Sequence, residues 1–497
     1  MKRPFKGLRS HGPEASYDVV VIGAGVGGLV CANLLAREGL SVLLVEQHYM
    51  VGGYCSTFRR GGYTFDAASH FYPLLGNPET ITGRLLAELG ATCGWVKMDP
   101  VDTFHFPDGS RFAVPADFDA YRALLDAEFP AAKEHLVRFF EEVREAYLLG
   151  LLRYFRERRP PALERYRHLT VAEVLDRHFD DRKLKLLLTA DSPHWGAPPS
   201  RTSFVFDSML RISYFLGNYY PEMGSQAFVD DLARCFEEAG GHILMSTRVD
   251  RIVTSGGPGA RVEGVEMKTD RGRLEGRWRV KTGTVVSNAD LAQTLDRLLE
   301  GPAAAAYRES MRGLRPSQSC FLTHVGLSGV PRSDLEQAQG YYWRSWDAEE
   351  AGGEGLWCKI FVPTLYEPRM APQGGQVVIL QKVQDLDYEK VADWPAHKAA
   401  IESRLTGHFE RVLPGVSRHV VVKLSASART SQRFTLNQAG SMLGWEMSPE
   451  QLGDRRPDNR GPVDGLWLVG HWTRPGGGIT PVMISAVHVA RAIAASQ

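Results

Sequence analysis

The chain has 497 residues, 43% of them hydrophobic and 23% charged, with Lys plus Arg and Asp plus Glu balanced at 58 each and a pI near 7.3. This is a globular composition, long enough for two or three domains, and its zero formal net charge leaves no electrostatic footprint for nucleic acid. No run reaches the roughly 18 apolar residues of a membrane span. Met1 to Ser16 is basic and polar, without the apolar core of a secretory signal. The cysteines, Cys31, Cys55, Cys93, Cys235, Cys320 and Cys358, fall in no metal or redox spacing, so no metal is expected and a reducing, cytoplasmic compartment suits them.

The first element is the β-branched strand Asp18-Val19-Val20-Val21-Ile22, which runs into Gly23-Ala24-Gly25-Val26-Gly27-Gly28. A helical pattern follows from about Gly27 to Arg37, then a second strand over Ser41 to Val45, with Glu46 at its end. Strand, glycines, helix, strand and acid in this order form a dinucleotide-binding unit. Gly23 permits the tight turn, Gly25 lets the backbone approach a pyrophosphate, and Gly28 lets helix and strand pack closely. The helix N-terminus faces the phosphate charge, and Glu46 accepts from the adenosine ribose. An ordinary α/β turn rich in glycine would leave Glu46 unexplained.

The residues after Glu46 select the dinucleotide. Met50-Val51-Gly52-Gly53-Tyr54-Cys55-Ser56-Thr57 carries a second glycine pair, and Gly61-Gly62-Tyr63-Thr64-Phe65-Asp66 and Ser69-His70 follow. A nicotinamide enzyme needs no such extension. FAD does, because its ribityl chain and ring must be threaded past backbone that only glycine lets come close.

Further along, residues 76–221 read as mainly helical by periodicity. Within them Glu134 to Arg159 combines an apolar stripe with Arg153, Arg156, Arg158 and Arg159. Such a helix suits a core-facing position or a bilayer interface, so peripheral membrane association is carried as one of two expectations. Residues 222–300 return to nucleotide binding, with a helix from Ser225 to Ala239, a strand from Ile243 to Val249, a hairpin around Gly256-Gly257-Pro258-Gly259 and a strand from Thr284 to Ser287. Residues 301–457 mix strands, such as Gln376 to Gln381 and Val420 to Leu424, with a helix from Pro395 to Val412. Gly352-Gly353-Glu354-Gly355 reads as a loop, so no second dinucleotide unit for NAD(P)H is expected. Asp464-Gly465-Leu466-Trp467-Leu468-Val469-Gly470-His471 is a turn and a buried strand, and Pro475 to Pro481 opens a helix that runs to about Ala494. The aromatic clusters Tyr214-Phe215, Tyr219-Tyr220, Tyr341-Tyr342-Trp343, Trp346 and Trp357 suit either core or the lining of an apolar tunnel.

The expected fold class is therefore α/β. A Rossmann-type FAD-binding domain is assembled from residues 17–75, 222–300 and 458–497, and an α+β substrate domain with a helical part comes from 76–221 and 301–457.

Both chain ends, the glycine pair with Phe65-Asp66 and His70, Tyr220-Pro221-Glu222-Met223-Gly224-Ser225-Gln226 and Val286-Ser287-Asn288-Ala289-Asp290 together resemble the phytoene desaturase, carotenoid isomerase and retinol saturase family of FAD oxidoreductases. The resemblance implies cofactor contacts from Gly23, Gly25, Gly28, Glu46, Gln47, Gly52, Gly53, Thr57, His70, Val249, Asn288, Gly470, His471, Gly478, Ile479 and Thr480. It implies hydride exchange with carbon–carbon bonds of a carotenoid, isoprenoid or other long apolar substrate. His70, Cys55 and His471 are the titratable catalytic candidates beside the flavin. Two departures stand out. Tyr54 and Cys55 follow the glycine pair where related amine oxidases often carry Arg, and His471 follows Gly470 where many relatives have Asp. A flavin amine oxidase and a non-catalytic prenyl- or lipid-binding protein on the same fold are the alternative readings.

Overall fold

Strands from three separate stretches of chain assemble into one parallel sheet. Its order is Leu466–Leu468, Thr284–Ser287, Val19–Ile22, Val42–Val45 and His242–Leu244. These are residues of a computed structural model that describes residues 3–8, 12–257, 259–270, 274–353, 357–385 and 387–496. Both sheet faces are covered, which is why the strands read as unbroken apolar runs. Val19, Val21, Val42 and Leu44 pack under the helices Val26–Arg37, Ser225–Glu238 and Ile479–Ala494. Val20, Ile22, Leu43 and Val45 turn to the antiparallel sheet Thr247–Thr254, Val262–Thr269 and Gly276–Lys281. A Cβ on Gly28 would stand 2.0 Å from the Gly23 carbonyl oxygen, so the first helix reaches its place only with glycine there.

The second sheet has seven strands in the order Val420–Ala426, Ser319–Ser328, Gly375–Gln384, Trp357–Phe361, Gly340–Trp343, Asp102–His105 and Arg111–Val114. One face carries Phe321, Val325, Ile360, Val378 and Leu380 against Ile401, Leu405 and Phe409 of the helix Trp394–Val412. The period of two places Leu322, Gln381, Lys359 and Tyr341 on the opposite face, and the register aligns them in one row across four strands. Helices Lys133–Gly150 and Phe204–Phe215 stand beyond that face.

One expectation needs correction. The run Ile243 to Val249 is two strands, because Ser246 takes a positive φ of 54° and breaks it. The block 76–221 is mainly helical, as expected, and two of its strands, Asp102–His105 and Arg111–Val114, complete the seven-stranded sheet. In Glu134 to Arg159 the residues Leu136, Phe139, Phe140 and Val143 are core, the first of the two expectations, while Val137 and Leu148 are exposed. Among the described residues no helix is long and apolar enough to cross a membrane. Pro258 of the expected hairpin and residues 354–356 of the glycine-rich loop lie outside the described residues.

Candidate functional site

The C-terminal ends of the parallel strands open on a groove of about 380 Å³. Gly23, Gly25, Glu46, Gln47, Gly52, Gly53, Cys55, Val249, Asn288, Gly470, His471, Gly478 and Ile479 all line it. Gly28, Thr57, His70 and Thr480 do not: Gly28 serves the helix packing, Thr57 receives the Gln226 side chain at its N–H (3.3 Å), and His70 and Thr480 line a second cavity.

The groove's chemistry fits a dinucleotide. The helix Val26–Arg37 begins there with no side-chain cap and no acid in its first turn, so its free N–H groups are left for an anion. A Cβ on Gly25 would stand 2.9 Å from Asn288 Nδ2, and Gly52 (φ 118°) and Gly53 (φ 57°) hold a backbone path that side chains rarely adopt. Glu46 accepts the N–H groups of Ala24 and His48, both at 2.8 Å, which fixes its carboxyl at the groove wall. Desolvation pushes that carboxyl upward while these N–H bonds oppose the shift.

His471 is held at the groove by Asn437 Oδ1, 3.0 Å from its Nε2. Burial and the nearby Arg456 charge push it down to about 3, so the ring is neutral. Cys55 is buried near Ser69, and burial pushes its thiol up to about 11. Neither lines the second cavity.

That cavity measures about 550 Å³ and shares Tyr54, Ser69, Met442, Leu443, Gly478 and Ile479 with the groove. Its walls are mainly Leu, Met, Phe and Tyr. Of the aromatic clusters singled out in the sequence, Tyr214 lines it, while Tyr341, Trp343 and Trp357 pack in the core behind. The lining contains one carboxyl among the described residues, Glu79, which is exposed and paired with Arg84 at 2.9 Å.

One wall is polar. His70, His194, Gln381 and Cys320 face the cavity there. His70 Nδ1–H donates to the Ala68 carbonyl at 2.9 Å, leaving Nε2 buried and without a hydrogen bond. Burial and Lys359 push His70 down to about 3. Behind the wall lies Lys359, fully buried, donating to the Tyr341 hydroxyl at 2.8 Å and 3.7 Å from Asp102. Its ammonium sits 3.7 Å from the centre of the Phe71 ring and 4.1 Å from that of Tyr341. Sequence reasoning missed His194, Lys359 and Gln381 and read Tyr341 only as core or tunnel lining. The available signal was a lysine inside the apolar strand Trp357-Cys358-Lys359-Ile360-Phe361, since lysine is almost never fully buried unless paired.

A family model described as flavin containing amine oxidoreductase matches residues 26–494. The chain is 26% identical to a neurosporene-forming phytoene desaturase of Rhodobacter capsulatus, over 97% of this chain and 95% of that protein. It is 25% identical to a chloroplastic prolycopene isomerase of Arabidopsis thaliana, over 99% of this chain and 84% of that protein. Among solved structures, an oxidoreductase of Methanosarcina mazei superposes with a TM-score of 0.65 at 20% identity, covering 95% of this chain and 99% of that one. Cyclohexylamine oxidase of Brevibacterium oxydans gives 0.63 at 17% identity, covering 97% and 99%.

Proposed function

Because the chain belongs to the flavin-containing amine oxidoreductase family, with FAD as its cofactor, we propose that it forms, reduces or isomerises carbon–carbon double bonds of a carotenoid or other long isoprenoid chain. The observation that carries this reading is the cavity beside the groove. It is apolar over most of its wall, and behind its polar wall the ammonium of Lys359 is balanced by the carboxyls of Asp102 and Asp191. An amine substrate buried as a cation needs a carboxylate partner. Here the one carboxyl of the lining among the described residues, Glu79, lies exposed at Arg84. The carotenoid-acting relatives support the same reading.

FAD, when bound, supplies two-electron hydride chemistry. The protein's part is to hold the chain against it and to exclude water. We assign the nucleotide unit to residues 17–75, 222–300 and 458–497 and the substrate unit to residues 76–221 and 301–457. Gly23, Gly25, Glu46, Gly52, Gly53, Asn288 and Gly470 would hold the cofactor from the groove, and Tyr54, Ser69, Gly478 and Ile479 would hold it where groove and cavity meet. Ile81, Leu151 and Leu216 line the cavity, and Leu148 and Leu216 are exposed large apolar residues. A lipid-dissolved substrate would enter there, from a membrane touched from the cytoplasmic side. Flotation with liposomes tests that contact, and a protein that stays entirely in the aqueous fraction argues against it.

The function is tested by expressing the protein in hosts that accumulate phytoene, zeta-carotene or prolycopene and analysing the extracted pigments by mass spectrometry and chromatography. A product differing by two hydrogens, or an isomer of equal mass, is expected. Unchanged pigments together with peroxide release from amines would reverse the assignment.

His471 offers a separate check. It lines the groove rather than the cavity and is neutral. His471→Ala should therefore weaken FAD retention by about 1 kcal/mol, roughly fivefold, and leave the shape of the pH–rate profile intact. Normal flavin content with a lost pH limb would instead make it a proton-transfer group.

A further inference from the structure

The polar wall of the cavity is a continuous hydrogen-bonded chain. Lys359 Nζ donates to the Tyr341 hydroxyl at 2.8 Å, and that hydroxyl lies 2.9 Å from His194 Nδ1. His194 Nε2 lies 3.2 Å from Gln381 Oε1, and Gln381 Nε2 lies 3.0 Å from Cys320 Sγ. With Lys359 charged, one arrangement pairs a donor with an acceptor at each of the first three contacts, with Asp102 as a second acceptor beside Tyr341. The ammonium donates to the Tyr341 oxygen, the Tyr341 O–H to His194 Nδ1, and His194 Nε2–H to Gln381. With Lys359 neutral the first two bonds can reverse, the Tyr341 O–H donating to Nζ and His194 Nδ1–H to Tyr341, which leaves a lone pair on Nε2 and gives up the bond to Gln381 Oε1. Tyr341, Lys359 and Gln381 lie opposite one another on adjacent strands, and His194, from the short turn Ser192–His194, bridges the two outer members Tyr341 and Gln381.

We propose that His194 exchanges a proton with the substrate chain at the cavity wall and that Lys359, through Tyr341, stores it. The proposal rests on the carbon–carbon reading above. When a single bond becomes double, one carbon loses hydrogen with its electron pair to the flavin. The neighbouring C–H bond breaks, its electrons become the π bond, and its proton goes to His194 Nε2. His194 then passes the proton on Nδ1 to Tyr341, and Tyr341 passes its own to Lys359. Reduction of a double bond runs the same path backward. At 3.2 Å the contact from Nε2 to Gln381 is at the long end for a hydrogen bond, so it yields to a substrate at little cost.

The store is built for the purpose. Lys359 faces the carboxyls of Asp102 and Asp191, the phenols of Tyr341 and Tyr214, the imidazoles of His70 and His194 and the Cys320 thiol, with the paired Asp207 and Arg211 further out. Burial lowers the ammonium to about 7 against the pull of the two carboxylates, within reach of both protonation states. His70 cannot serve, because its Nε2 connects to nothing that would take the proton onward.

Two measurements test this. Ring 15N shifts of His194, assigned with His194→Gln, should show Nε2 protonated on the acid side of the Lys359 transition and Nδ1 protonated on the basic side, and Tyr341→Phe should abolish the switch. This holds whether or not a substrate is known. In turnover, desaturation needs neutral Lys359 and should rise with pH through about 7; saturation needs the ammonium and should fall there. Tyr341→Phe and Lys359→Met should lose that limb and about a hundredfold in rate, with flavin content unchanged. If Lys359→Met fails to fold, Tyr341→Phe decides. A fixed His194 tautomer across the range, or an unaltered pH profile in Tyr341→Phe, overturns the relay. No conversion by wild-type protein with an intact tautomer switch would overturn the function and leave the relay standing.

Discussion

Gly25→Val yields a folded protein without flavin. Gly25 is the residue before the first helix, with ordinary extended backbone (φ −69°, ψ 173°), so valine is not barred by conformation. It is barred by space. A Cβ alone would stand 2.9 Å from Asn288 Nδ2, the amide that reaches back to the Gly23 carbonyl at 3.3 Å, and valine adds two methyl groups toward the phosphate path. Forced overpacking of this kind costs about 1–3 kcal/mol, and losing the backbone approach to pyrophosphate adds to it. Purified variant should be colourless with an unchanged far-ultraviolet dichroism spectrum. Stoichiometric flavin in Gly25→Val would mean that the cofactor does not cross this turn. Glu46→Gln should fall between: both carboxyl oxygens accept backbone N–H groups, and an amide can replace only one of them.

Leu210→Trp separates the cavity from the groove. Leu210 lines the cavity from the helix Phe204–Phe215 and takes no part in the groove. The indole fills space that a long apolar chain needs, so flavin content stays normal while conversion falls by about a hundredfold, equivalent to roughly 2.7 kcal/mol of lost transition-state binding. Flavin content and product yield measured on one preparation check both halves. Undiminished conversion would place the substrate elsewhere.

The nucleotide half was legible because each of its signals is local. Val19–Ile22, the glycines that follow it and Val42–Val45 are adjacent in sequence, and their apolar runs and turns follow from contacts within a few residues. The strand Thr284–Ser287 was legible for the same reason. The break at Ser246 was not, since a serine at positive φ carries none of the glycine signal that usually marks such a turn. The cavity's polar wall was illegible for a different reason. Tyr341, Lys359, Gln381 and Cys320 meet through strand pairing set at long range, His194 joins them from the short turn Ser192–His194, and the partner strand Asp102–His105 arrives from a block that reads as mainly helical. Exposure explains the reading of Glu134 to Arg159: its apolar stripe has the same helical period whether a core or a bilayer covers it, and here a core covers Leu136, Phe139 and Val143.

The most direct test of the central claim is the absorption spectrum of a polyene incubated with purified, flavin-loaded protein in liposomes. Phytoene, zeta-carotene and prolycopene are tried in turn, with Gly25→Val as the flavin-free control. A flavin-dependent shift of the polyene bands, from altered conjugation length or geometry, is the predicted result. Unshifted spectra for all three, with flavin reduced and peroxide formed only when an amine is supplied, would contradict it.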